Sequence, residues 1–155
     1  MVLESWKIYW GEHSAESYLY GSKITFHKKD DVEFENNLMP PGTVIKQWFS
    51  KTNYQRNRIE PTLPMIDGES FYQIAVSIDC KENENFLLKI IFYDRYEKEA
   101  GSMIIRDKLA DFRCPLKTYS YKIQLVNGGM TGLLFHSITI REVSNESEEK
   151  IKENS

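Results

Sequence analysis

Three groups of residues in this chain carry chemical capacity: the pair Glu33 and Glu35, the histidines His13, His27 and His136, and a run in which Trp48, Lys51, Asn53, Tyr54, Arg56 and Arg58 lie within eleven positions. On one face of a strand the two glutamates would stand roughly 6 to 7 Å apart. That is near the separation at which an inverting glycosidase holds two carboxylates and a water. Val32 and Phe34 take the opposite face, however, so the pair reads as the solvated side of an amphipathic strand. The histidines form no triad motif, and no GxSxG elbow presents a serine. His136 falls in register with Leu134, Ile138 and Ile140 and reads as a satisfied, partly buried ring. No His or Cys spacing suits zinc, no Walker or GxGxxG sequence suits a phosphate, and Asp30, Asp31 and Asp94 are too ordinary to mark calcium. The chain reads as non-enzymatic, with no catalytic residue, metal or cofactor.

The third group suits recognition. Burying one aromatic side chain removes about 150 to 250 Å² from water, so core use is the default for 8 Phe, 9 Tyr and 3 Trp. Phe86, Phe92, Tyr119 and Tyr121 fit core registers, whereas Trp10, Trp48, Tyr54 and Tyr93 lie outside clear ones. In KQWFSKTNYQRNR, Trp48 stands with Asn53, Tyr54, Arg56 and Arg58, the aromatic, amide and guanidinium inventory of a polar recognition surface. These five are the candidate binding residues. They sit in a proline-framed stretch, 36–68, that reads as a long loop with one strand inside it, and long ordered loops are often functional.

The elements that must position them are strands. In 71–80, Tyr72, Ile74, Val76, Ile78 and Cys80 alternate with Gln73, Ser77 and Asp79; in 118–126, Tyr119, Tyr121, Ile123 and Leu125 alternate with Ser120, Lys122 and Gln124. FLLKIIFYD (86–94) is apolar on both faces apart from Lys89 and is expected at the centre of a sheet. Asn127, Gly128 and Gly129 predict a tight hairpin into LLFHSITIREV. Shorter strands are expected at 6–10, 17–20, 23–27, 32–36, 43–49 and 101–106. No window keeps a helical period. Nine or ten short strands predict an all-β fold, an antiparallel β-sandwich or jelly roll.

With 155 residues the chain is long enough for one domain to bury a core without staples. The formal charge of −3 resides wholly in 142–155, where five glutamates face two lysines. The sequence therefore predicts one domain over 1–143 and an acidic, disordered tail over 144–155. A neutral body argues against nucleic acid, which demands a basic face, and against a polybasic membrane anchor. No run approaches the ~20 apolar residues of a spanning helix, and Glu4 and Glu12 break any export signal. Cys80 and Cys114 make no CxxC, which fits a reducing cytoplasm better than a disulfide; Cys80 is expected to be buried and Cys114 to lie in a loop.

The strings SYLYGSKITF (17–26), VEFENNLMPPGTVIKQWFSKTNYQRNRIEPTLP (32–64) and KIIFYDRYEKEAG (89–101) resemble the smallest of the accessory secretory proteins of the Gram-positive accessory Sec system. LMPPGTVI followed by WFSKTNYQ, and FYDRY, carry the specificity, and the similarity runs from about residue 17 to 143. Residues 1–16 and the tail match nothing, and Pro41 stands where a small polar residue is expected. The resemblance implies a sandwich like a carbohydrate-binding module and a cytoplasmic, non-enzymatic adaptor, held peripherally at the membrane through partners. It implies assembly with the two larger accessory secretory proteins and a SecA-type motor ATPase, in the export of glycosylated serine-rich adhesin preproteins. It brings no catalytic residue. The alternative is a free-standing carbohydrate-binding module recognising N-acetylhexosamine-bearing glycans.

Overall fold

A computed structural model describes residues 2–11, 17, 18, 20–50, 63–80 and 84–143. They form ten strands: β1 (Val2–Ile8), β2 (Lys23–Lys28), β3 (Asp31–Glu35), β4 (Val44–Phe49), β5 (Phe71–Cys80), β6 (Phe86–Tyr93), β7 (Glu99–Ile105), β8 (Leu109–Arg113), β9 (Ser120–Asn127) and β10 (Gly132–Val143). Among the described residues there is no helix, and hence none long and apolar enough to cross a membrane. Every pairing is antiparallel. One sheet runs β2-β3-β10-β5-β8, with β1 also on β10; the other runs β4-β9-β6-β7. The twelve-residue β10 organises the first sheet, since its start pairs with β3 and its end with β1 along the same edge while β5 fills the other.

Alternation fixes which side chains meet between the sheets. β5 buries Tyr72, Ile74, Val76 and Ile78; β6 buries Leu88, Ile90 and Phe92; β9 buries Tyr121, Ile123 and Leu125. β6 is internal to its sheet, as its two-faced apolar sequence required, and Ile91 on its outer face is also buried. Two aromatic clusters bridge the layers. Trp10, Phe34, Trp48 and Phe135 form one, with Trp48 and Phe135 stacked at 5.3 Å; Tyr72, Phe112, Phe92 and Tyr121 form the other.

Four expectations are corrected. Asn127–Gly129 does not make a hairpin: β9 and β10 belong to different sheets, so this turn is an arch between layers. Buried Asn127 makes the difference, because its Oδ1 accepts from the N–H groups of Gly129 and Met130 and leads the chain across the core. Of the strand expected at 17–20, the described residues Ser17, Tyr18 and Tyr20 show only the Ser17–Lys46 bridge and a bond from Tyr18 N to Ile45 O. Tyr119 is 63% exposed despite its inward register, because β9 begins after it and it overhangs the sandwich. Trp10, placed outside the core registers, is 1% exposed at the centre of the first aromatic cluster.

Candidate functional site

The segment expected to serve recognition follows the end of β4. Simple alternation from Val44 would send Trp48 outward, but a bulge between Val44 and Lys46 shifts the register against β9 and turns Trp48 to the core side opposite Ile123. Trp48 is 2% exposed and its indole N–H donates to Tyr9 O at 3.0 Å. Lys46 is buried in the same layer, its ammonium 5.5 Å over the Trp10 ring. Trp48 is therefore a core residue, packed on Trp10 and Phe135, and offers no surface. Its four companions, Asn53, Tyr54, Arg56 and Arg58, lie outside the described residues. The two ends of their segment are clamped together. Ser50 N donates to Tyr121 O and Ser50 Oγ accepts from Tyr121 N, Leu63 N donates to Phe49 O at 3.1 Å, and Tyr121 Oη donates to Pro64 O at 2.6 Å. Burial raises the pKa of the Tyr121 hydroxyl, which keeps it a neutral donor.

Beside this clamp an open cleft of about 700 Å³ runs between β1 and the returning chain, lined by Glu4, Trp6, Lys7, Leu63, Pro64 and Met65 among others. The loops of this end interlock. Glu69 N donates to Cys114 O, Cys114 N to Ser70 O, and Tyr119 N to Tyr93 O at 2.7 Å. Gly68 lies so close to the 114–119 turn that a Cβ there would meet Leu116 O at 2.4 Å. Four large side chains protrude from the interlocked end: Met65 (85% exposed), Tyr96 (74%), Leu116 (69%) and Tyr119 (63%). Apolar bodies with two hydroxyl tips suit contact with another macromolecule.

The carboxylate pair does not look like an acid–base site. His27 Nε2 stands 3.1 Å from Glu33 Oε2, and that hydrogen bond, ahead of the other influences, lowers the Glu33 pKa. A general acid needs the opposite shift. His136 is hydrogen-bonded to Asp30 O and Asp79 Oδ2, but the register shift between Phe135 and Ser137 places it on the outer face with Leu134 and not with buried Ile138 and Ile140. Cys114 is buried in the loop after β8; Cys80 is only half-buried. Both thiols are free, and burial pushes Cys80 up to about 11 and raises Cys114, so neither is an activated nucleophile. Among the described residues no group of three His, Cys, Asp or Glu is placed to hold a metal.

Two of the distinctive sequence phrases have structural roles among the described residues. In LMPPGTVI, Pro40 O accepts from Thr43 N, Thr43 Oγ1 and Asn127 Nδ2. In FYDRY, Asp94 Oδ1 closes the β6–β7 turn by accepting from Tyr96 N and Lys98 N. Two asparagines whose side-chain roles the sequence did not show hold the opposite end: buried Asn36 and Asn127 each accept two backbone N–H groups, and Asn36 Nδ2 also donates to Tyr20 O and Ser22 Oγ. The only sequence signal for them was an asparagine directly after an alternating strand.

The family of the third accessory secretory protein (ASP) of the accessory Sec secretory system matches residues 17–142. The chain belongs to that family. The accessory Sec system protein of this family from Streptococcus gordonii is 38% identical over 150 residues, covering 91% of this chain and 94% of that protein. Among solved structures, the crystal structure of accessory secretory proteins 1, 2 and 3 of Streptococcus pneumoniae contains a chain with TM-score 0.83 and 32% identity, covering 89% of this chain and 96% of that one. The glycosylation-associated Gap123 complex of Streptococcus agalactiae gives TM-score 0.82 and 33% identity over 91% of this chain and 45% of that one. A more distant likeness, to BiXyn10A CBM1 in its apo form (TM-score 0.51, 10% identity, 89% and 97% covered), shows that the family's sandwich shares the fold of carbohydrate-binding modules. The relatives are named as secretory-system proteins and not as enzymes.

Proposed function

We propose that this chain is a non-enzymatic adaptor that assembles with the two larger accessory secretory proteins. The complex would work with the SecA-type motor in exporting serine-rich glycoprotein adhesins from the cytoplasm. One observation carries the reading: the likeness to a chain crystallised among accessory secretory proteins 1, 2 and 3 runs through nearly the whole sandwich, so the surface that meets partners there has its counterpart here. The contact is assigned to the interlocked end that bears Met65, Tyr96, Leu116 and Tyr119, together with Asn53, Tyr54, Arg56 and Arg58 of the loop clamped beside it. Trp48 supports that loop from the core. The domain is assigned to 1–143, with the acidic tail 144–155 outside it.

The test is co-expression of tagged chain with the two larger proteins. Tyr96→Ser with Leu116→Ser is expected to lower recovery of the partners at least tenfold while the far-UV spectrum and melting temperature stay close to wild type. Full recovery from that folded variant refutes the assigned face. Binding of N-acetylhexosamine-bearing glycopeptide by the isolated chain would instead favour the free-standing carbohydrate-binding reading.

A further inference from the structure

The outer face of the first sheet carries a charged chain that the adaptor reading does not use. His136 sits where the register of β10 against β5 shifts, between Phe135 and Ser137. Its ring bridges two acceptors, with Nδ1 2.9 Å from Asp30 O and Nε2 3.0 Å from Asp79 Oδ2. A backbone carbonyl has no proton to give, and neither has an ionised carboxylate. A neutral imidazole has one N–H, so one of the two contacts would set lone pair against lone pair. Only the imidazolium fits both.

Two segments meet at this ring, and a third reaches Asp79 from beyond it. Asp30 belongs to the β2–β3 turn, whose Lys29 also lies 4.6 Å over the Tyr9 ring. Asp79 is near the end of β5, and its other oxygen lies 3.8 Å from Lys108 Nζ. Lys108 is in the turn before β8, whose carbonyl accepts from Val76 N. The facing ionisable groups are thus Asp31 beyond the turn, Asp79 on β5, Lys108 from the β7–β8 turn, and the His27–Glu33 pair further along β2 and β3; Leu134, Ser137 and Ile138 of β10 add no charge. Two carboxylates favour the imidazolium and one ammonium opposes it.

We propose that His136 is a proton-operated latch: as an imidazolium it fastens the β2–β3 turn and the end of β5 to the bulge of β10, and loss of its proton releases the turn from the sheet. The hydrogen bond to Asp30, followed by that to Asp79, raises the His136 pKa. A raised folded-state value means that the stabilisation is complete below the unfolded value of about 6.5 and is lost as pH rises through the folded value.

Nitrogen-15 spectra of the full chain, recorded from about pH 5 to about pH 9, follow the His136 ring and the amides of Lys29 to Asp31 together. Melting curves over the same range compare wild type with His136→Gln and Asp79→Asn. The expected result is a His136 midpoint above 6.5, turn amides that shift and lose exchange protection with the same midpoint, and a fall in melting temperature that His136→Gln abolishes. Asp79→Asn should move the midpoint down. A midpoint at or below 6.5, or turn amides indifferent to it, overturns the latch even if neither variant folds.

Discussion

The residue that changes meaning most is Trp48. Its neighbours in sequence suggest a surface anchor, yet the bulge at Ile45–Lys46 turns it onto Phe135 and gives its N–H to Tyr9 O. Trp48→Ala should therefore act through stability, costing roughly 3–5 kcal/mol in denaturant unfolding, with partner recovery restored under conditions that restore folding. A stable Trp48→Ala protein that has lost its partners would place the indole in the interface after all. Asn127 offers a second check. Removing its amide leaves the N–H of buried Met130 without its acceptor, while that of exposed Gly129 turns to water, and Asn127→Ala should cost about 1–3 kcal/mol. At Glu33 the prediction is the reverse. Its carboxylate is exposed and held ionised by His27, so Glu33→Gln with Glu35→Gln should leave folding and assembly intact. Loss of export in that folded double variant would revive the carboxylate-pair reading.

At the scale of elements, burial periodicity made most strands legible. β5 matches its expected bounds residue for residue, and β6 and β9 nearly so, because their inward faces are continuous rows of large apolar side chains. β8 escaped notice for the converse reason: only Ala110 and Phe112 turn inward, and Leu109 points to solvent. Local signals also failed where two sheets compete for one turn. Asn-Gly-Gly favours positive φ in a hairpin and in an arch alike, and the choice rests on where Met130 and Leu133 find a core. The bulge that inverts Trp48 has no sequence mark, since it answers to pairing with β9. Of the candidate site, then, the strand inside 36–68 was legible as β4, while the buried footing of Trp48 was not. Asp94 shows turn chemistry that did survive into the structure, and Asp94→Ala should cost about 1–2 kcal/mol by freeing Tyr96 N and Lys98 N at the β6–β7 turn. A thermal shift within error of wild type would contradict that role.

For the whole molecule, the two ends of the sandwich have different duties. One is tied by Asn36, Asn127 and the Pro40 carbonyl and exposes Tyr20 and Leu38; the other is interlocked by backbone bonds and bears the larger exposed set, Met65, Tyr96, Leu116 and Tyr119. An apolar end on a neutral body is what a small subunit needs if it works by binding and carries its own fold. Ending the chain at Val143 should leave one cooperative unfolding transition at the wild-type midpoint, which calorimetry would check; a lowered or divided transition would make the tail part of the domain. The adaptor claim itself is tested most directly by light scattering on the chain co-expressed with the two larger accessory secretory proteins. The account predicts one species containing all three, and that species should lose this chain when Tyr96 and Leu116 become Ser. Elution of the wild-type chain alone, at its own 18.2 kDa, beside both partners would contradict it.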